Sequence, residues 1–263
     1  TGPSLWQPHG RVFGGQVLAQ SLVAAQRTSP DGRVVHSMHA YFLRPGQVDL
    51  PITFSVDRIH DGRSFSTRRT QAYQDGLPIL SMIASFQDED EGLEHQVDMP
   101  VGIPDPESLP SAAEHLGEID HAVARFWATE RPFDMRHVPS PVYLSVEGDR
   151  VAHQAVWLKA VGPLPDDDNL HRAALAYASD YSILEPILRR HGIAWAMPGL
   201  KAASLDHAMW WHRPGRVDEW LLYVQESPNA IGGRGLSLGR IYRRDGVLLA
   251  SVAQEGMVRV PSA

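Results

Sequence analysis

Tyr41-Phe42-Leu43-Arg44-Pro45-Gly46-Gln47-Val48-Asp49 returns as Trp210-Trp211-His212-Arg213-Pro214-Gly215-Arg216-Val217-Asp218. From Arg44 to Arg213 the offset is 169 residues, and each copy carries an aromatic pair before its Arg-Pro-Gly turn. At almost the same offset, 170, Asp75-Gly76 followed by Ile79-Leu80-Ser81 is echoed by Asp245-Gly246 followed by Leu249-Ala250-Ser251. Two matched blocks in one order mean an internal duplication. A period this long is a domain-sized unit, since solenoid and propeller modules repeat every few tens of residues. The chain reads as two similar folds fused.

Working outward, Phe13-Gly14-Gly15 leads into Gln16 to Gln26, where Val17, Leu18, Leu22 and Ala25 recur at helical spacing and predict a buried helix. Strand-like runs follow at Val34 to Leu43, Ile52 to Arg58, Arg63 to Tyr73 and Ile79 to Phe86. Asp61-Gly62 and Asp75-Gly76 between such runs signal hairpins, because both central residues of the favoured turn need positive φ. The second copy repeats the order. Val151 to Ala160 alternates like its first strand, His171 to His191 reads as its helix, and strands follow near Ala203 to Trp211, Glu219 to Glu226, Leu236 to Arg243 and Val247 to Val258. Between the copies, the acids Asp88 to Glu91 and the closely spaced Pro100, Pro104, Pro106 and Pro110 read as a solvated, extended linker. Ala112 to Thr129 reads as helical. The expected organisation is an N-terminal domain over 1–88, a linker region over 89–149 and a C-terminal domain over 150–263.

The length of 263 residues suits two ordinary domains. Hydrophobic content of 43% and charged content of 21% are those of a folded globular chain. No apolar run approaches the roughly 18 to 20 residues that span a bilayer, and no leader pattern is present, so membrane insertion is not expected. The start at Thr1 leaves room for a preceding segment. With no cysteine, disulfides, a thiolate nucleophile and a cysteine metal site are excluded, which fits a cytoplasmic protein. A net charge of −7 argues against a broad nucleic-acid footprint, which needs a clustered basic surface. Lys159 and Lys201 are the only lysines among 24 basic residues, a hint of a bacterial source.

A buried helix wrapped by a long antiparallel sheet is the hotdog arrangement, and two in tandem make an α+β double hotdog. Five segments make the likeness specific: Phe13-Gly14-Gly15-Gln16, Tyr41 to Gly46, Tyr177-Ala178-Ser179-Asp180, Ser204 to Pro214, and Val252-Ala253-Gln254-Glu255-Gly256. Together they resemble the acyl-CoA thioesterase II family, the TesB type, in family order over nearly the whole chain. The resemblance implies hydrolysis of fatty acyl-CoA in lipid metabolism, with no cofactor and no metal. It also implies a homo-oligomer, a dimer of double hotdogs.

Asp180 is the one acid in an apolar stretch, where burial raises a carboxyl pKa toward the range of a general base. Ser182 followed by Glu185 equally fits a capping box that would place Asp180 at a helix start. The resemblance puts Asp180 on the family's catalytic aspartate. Gln254 follows an apolar strand-like run, so its amide points inward and needs partners, as any core glutamine does. Its repeat counterpart is Ala84, so the polar group exists in one copy only, and the resemblance matches it to the family's catalytic glutamine. Ser204 stands where the family usually has threonine; it keeps the hydroxyl and loses the stiffness of a β-branched side chain. These three are the catalytic candidates, holding one water that attacks the thioester carbonyl. Gly14 and Gly15 are candidates to line the site from the first copy or, on the other reading, to allow tight helix packing. His207 and Arg234 are further substrate-binding candidates, His207 reading equally as a satisfied structural histidine.

Other signals lose on context. Gly235-Leu236-Ser237-Leu238-Gly239 matches the nucleophile elbow, but Ser237 runs on into a strand pattern and no histidine follows His212. His36 and His39, three apart in a strand, face opposite sides, and no helical zinc motif occurs. Arg68, Arg69, Arg240, Arg243 and Arg244 join Arg234 as possible phosphate contacts, none assignable from sequence. Asp206-His207 keeps open a hotdog hydratase or dehydratase, and the serine at 204 a non-catalytic acyl-CoA binding protein.

Overall fold

The computed structural model describes residues 1–261; 262 and 263, the end of the expected second domain, lie outside the described residues. The first half is α1 (Gly14–Gln26), β1 (Val34–Phe42), β2 (Thr53–Asp61), β3 (Phe65–Gln74) and β4 (Leu77–Gln87). Asp75 and Gly76 take φ of 48° and 75°, the left-handed pair that the β3–β4 hairpin requires. The connecting region carries α2 (Ala112–Leu116), α3 (Ala122–Arg125), a π-helical turn at Phe126–Glu130 and β5 (Phe133–His137). The second half is β6 (His153–Ala160), α4 (Asp168–Ser179), α5 (Glu185–His191), β7 (Lys201–Ser204), β8 (Asp206–Trp211), β9 (Leu221–Ile231), β10 (Arg234–Arg243) and β11 (Leu248–Arg259).

All strands join one antiparallel sheet in the order β2-β3-β4-β1-β8-β11-β10-β9-β6-β5, with β7 also paired to β11. The seam between the halves is β1 against β8. Ser37 faces Trp210, His39 faces Ala208 and Tyr41 faces Asp206. A strand thus lies antiparallel to its own repeat, and a local two-fold axis passes between His39 and Ala208. The duplication read in the sequence is built into the hydrogen bonding. Val17, Leu18, Leu22 and Ala25 of α1 share one contiguous core with Ala173, Leu175, Ala176 and Ala178 of α4. Both helices lie against the sheet, and the double hotdog is a single packing unit.

Several local expectations are corrected. His171 to His191 is two helices, not one: α4 ends at Ser179 and α5 starts at Glu185 with Pro186 in its first turn. A proline at 186 has no N–H for the carbonyl four residues back and its ring would collide there, so a continuous helix is excluded. The capping box does not form. Leu184 is the N-cap of α5 without a side-chain bond, Ser182 Oγ accepts from Gln225 Nε2 at 2.6 Å, and Glu185 is buried against His137 and Gln154. Val151 to Ala160 does supply the first strand of the second half, β6, which lies beyond β9 in the sheet.

The proline-rich segment is extended but packed. Met99, Ile103 and Leu109 cover Ala155, Trp157, Trp220 and Leu222, Trp157 Nε1 donates to the Pro104 carbonyl at 2.9 Å, and Gln96 bridges Gly246 and Leu248. With both faces covered, β6 is buried along a continuous run instead of in alternation.

Candidate active site

Asp180 is the residue at which α4 stops, its backbone still near helical geometry. The Tyr223 hydroxyl donates to the Ser179 carbonyl at 3.1 Å and ties this helix end to β9. The start of α1 lies against the same point. A Cβ on Gly14 would fall 2.6 Å from Asp180 Oδ2, and one on Gly15 2.2 Å from the Tyr177 carbonyl oxygen. Gly14 borders the carboxyl, and Gly15 lets α1 approach the end of α4 closely. The N-cap of α1, Phe13, gives no side-chain bond, so the first N–H groups of that helix are those a helix start leaves without an internal partner.

Ser204 closes β7 and faces Gly256 of β11, while Ala208 of β8 faces Ala253. One extra residue is accommodated around Leu205, a bulge. In a regular strand residues three apart point to opposite sides, and the bulge brings Ser204 and His207 to the same side. Gln254 of β11 sits between them. Ser204 Oγ donates to Asp180 Oδ1 at 2.9 Å, and Gln254 Nε2 donates to Ser204 Oγ at 2.9 Å. The structure thus brings Asp180, Ser204 and Gln254 into one hydrogen-bonded group beside Gly14.

Burial pushes the Asp180 carboxyl up from 3.8 to about 6, against the opposing hydrogen bonds of Ser204, Gln254 and the Gly15 amide. The group remains ionised at neutral pH, yet binds a proton far better than an exposed aspartate. A carboxylate of that basicity, with a hydroxyl and an amide locked beside it, can hold a water and take its proton.

His207 and Arg234 fall outside this group's accessible surface. His207 has no exposed surface; its Nδ1 meets Gln254 Oε1 and its Nε2 lies 3.0 Å from Ser179 Oγ. It stands behind the amide, where no substrate reaches it. Burial holds its imidazole down to about 4, against the hydrogen bond to Gln254 and the charge of Asp206. Arg234 is half exposed at the start of β10, paired with Glu255 at 3.1 Å. The remaining arginine candidates are likewise ion-paired: Arg68 with Asp61, Arg69 with Asp57, Arg240 with Glu226, Arg243 with Asp245 and Arg244 with Asp105 and Glu107. Ser237 of the elbow-like motif is buried in the middle of β10.

Two features escaped the sequence reading. Ser179, the hydroxyl behind His207, is the neighbour of Asp180 in the same motif, and that adjacency was its only signal. Phe13, Tyr177 and Tyr181 form an aromatic wall around Asp180, with Phe13 stacked on Tyr181 at 4.6 Å and edge-on to Tyr177 at 5.1 Å. On the far side of Tyr177 a mostly apolar groove of about 680 Å³ opens between α1 and α4, lined by Ala19, Val23, Phe54, Leu164 and Ala173.

A family model described as acyl-CoA thioesterase matches residues 126–257, which hold the Asp180 group. A model described as acyl-CoA thioesterase N-terminal domain matches residues 2–87, which hold Gly14 and Gly15. The chain is 39% identical to acyl-CoA thioesterase 2 of Haemophilus influenzae, over 95% of this chain and 88% of that protein. It is 39% identical to human acyl-coenzyme A thioesterase 8, over 98% of this chain and 84% of that protein. A solved structure, the acyl-CoA thioesterase II TesB2 from Mycobacterium marinum, superposes with a TM-score of 0.76 at 42% identity, covering 95% of this chain and 90% of that one. Similarity of this level spans both hotdog halves and every member of the Asp180 group, and the chain belongs to the acyl-CoA thioesterase family.

Proposed function

We propose that the protein hydrolyses fatty acyl-CoA to free fatty acid and coenzyme A, with Asp180 as general base, Ser204 and Gln254 as the groups that fix the attacking water, and the start of α1 as the oxyanion site. The observation that carries this is the convergence of the three side chains beside Gly14. A water bonded to the carboxylate gives its proton to Asp180 as its oxygen attacks the thioester carbon. Holding that water in place removes part of the entropic barrier. The negative charge that develops on the carbonyl oxygen meets the positive dipole end at the start of α1, beside the Gly15 amide that also holds Asp180. When the C–S bond breaks, the proton on Asp180 passes to the coenzyme A sulfur, and the carboxylate is restored.

The groove between α1 and α4 is the seat of the acyl chain in this reading. What supports this placement is Tyr177, which lines the groove and lies three residues before Asp180 at the end of α4. Among the described residues no helix is long and apolar enough to cross a membrane. The setting this reading carries is a cytoplasmic enzyme of lipid metabolism acting as a dimer of double hotdogs, and sedimentation of the purified chain tests the assembly. A hydratase would present an acid and a histidine to its substrate, but both ring nitrogens of His207 are engaged, by Gln254 and Ser179.

The test is thiol release, followed with a chromogenic reagent, across acyl-CoA chain lengths, with enoyl-CoA absorbance recorded in parallel. Release of one thiol per acyl chain is expected. Tight binding without release at every length would leave a binding protein, and a change in enoyl absorbance without thiol would leave a lyase.

A further inference from the structure

We propose that His207 is a positioning residue for this reaction: its Nδ1–H tautomer orients the Gln254 amide so that Nε2, not Oε1, faces Ser204 and the water. The inference rests on the hydrolytic reading above, and it follows from counting protons along the network. Ser204 has one hydroxyl proton. Asp180 Oδ1, 2.9 Å away, is an ionised acceptor and takes it. The serine oxygen must then accept from Gln254, also at 2.9 Å, which fixes the amide with its NH2 toward the site. Oε1 is left facing the His207 ring, and only a proton on Nδ1 satisfies it.

A neutral ring with its proton on Nδ1 has a bare Nε2, and Ser179 Oγ, 3.0 Å away, is the donor that fills it. Ser179 has an alternative acceptor in the Ala176 carbonyl at 2.9 Å. If its proton went there, Nε2 would have to donate, Nδ1 would be bare, and Gln254 would turn its NH2 toward the ring. The amide oxygen would then face Ser204, whose single proton cannot serve both that oxygen and Asp180. The network therefore runs in one direction: Ser179 to His207, His207 to Gln254, Gln254 to Ser204, Ser204 to Asp180.

The duplication supplies an independent argument. At the offsets that relate the two copies, His207 corresponds to Met38 and Gln254 to Ala84. Met38 and Ala84 face each other across β1 and β4, and neither has exposed surface. The same slot is wholly apolar in one copy and wholly polar in the other. Histidine and glutamine stand or fall as a pair, as expected if one exists to orient the other.

The direct test is the ¹⁵N spectrum of His207 in the wild-type protein at neutral pH. A proton on Nδ1 and a bare Nε2 support the proposal; the reverse tautomer overturns it, whatever the variants do. The kinetic test compares His207→Phe, which has no donor, with His207→Asn, whose amide nitrogen can stand in for Nδ1. By analogy with the loss of one oriented donor, His207→Phe should lower kcat roughly 100-fold, with KM little changed and His207→Asn recovering most of the loss. Equal losses in both variants, or wild-type kcat in His207→Phe, would overturn it. If the wild-type protein released no thiol, the thioesterase reading itself would fail; a reversed tautomer in an active enzyme would sink this proposal alone.

Discussion

Asp180→Asn removes a proton acceptor and a poorly hydrated charge at once, and the two losses act in opposite directions. A carboxyl that titrates at about 6 in the fold instead of 3.8 destabilises the folded state by roughly 3 kcal/mol once ionised, at 1.36 kcal/mol per tenfold change. Partial exposure of Asp180 admits some water, which makes this the ceiling. The sign follows from proton binding: the folded state holds the proton more tightly, so the stability lent by the neutral carboxyl is complete below about pH 4. It is lost as pH rises through about 6. Asparagine carries no such dependence. The variant should match the parent near pH 4 and exceed it above pH 6, by up to roughly 10 °C in Tm. Turnover should fall by about 10² to 10⁴, the usual contribution of a general base, or some 3 to 5 kcal/mol in the barrier. Thermal unfolding at several pH values, with single-turnover thiol release on the same samples, measures both. A Tm difference that does not change with pH would refute the burial argument, and near-normal turnover would remove Asp180 from the chemistry.

With the base at about 6 and His207 held to about 4, kcat/KM should rise tenfold per pH unit below about 6 and level off above it; a flat profile across that range would contradict the assignment of Asp180. Ser204→Ala should cost about 100-fold in kcat by analogy with one lost oriented donor, whereas Ser204→Thr, stiffer at χ1, should equal or exceed the parent; equal losses in both would remove the hydroxyl from the mechanism. Gly14→Ala places a Cβ 2.6 Å from Asp180 Oδ2 and should lower kcat far more than stability, which paired kinetic and unfolding measurements will show. Ala173→Trp should fill part of the groove and raise KM for long acyl chains only; an unchanged chain-length profile would place the acyl chain elsewhere.

The sequence carried the architecture because its determinants are local or repeated. Asp75-Gly76 makes its hairpin with both residues at positive φ and Asp245-Gly246 with the glycine alone, and the matched Arg-Pro-Gly blocks place two hotdogs in one chain. The three polar candidates were legible for two reasons: Asp180 and Gln254 each interrupt apolar runs, and family motifs run through all three. What stayed hidden was three-dimensional. Pro186 announced the break after α4, but apolar spacing on both sides of it masked the signal. The packing of Met99, Ile103 and Leu109 on the outer sheet depends on an apolar patch assembled from β6 and β9, which a segment rich in acids and prolines does not reveal. Nothing in the one-dimensional pattern showed that a bulge at Leu205 turns Ser204 and His207 to the same side.

A two-fold related pair of hotdogs invites a second copy of the proposed site, and the structure does not repeat it. The polar trio comes from the second half and the helix start from the first. A reciprocal site would need the start of α4 and the first half's equivalents of Ser204, His207 and Gln254. Those equivalents are Val35, Met38 and Ala84, all buried in the apolar core. The start of α4 is also closed. Asp167 caps it, accepting from the N–H groups of Asn169 and Leu170, and Asp168 adds a second carboxylate in the first turn. An oxyanion there would meet donors held by the helix's own cap and two negative charges, whereas α1 has no side-chain cap at Phe13 and no acid in its first turn, and its Gly15 amide is held by Asp180, the proposed base. The first copy has apolar packing at these positions and supplies the helix start that meets Asp180; the second has the polar groups and caps its own helix. Neither half supplies every part of the proposed site, and the seam of β1 against β8 joins the two halves that do.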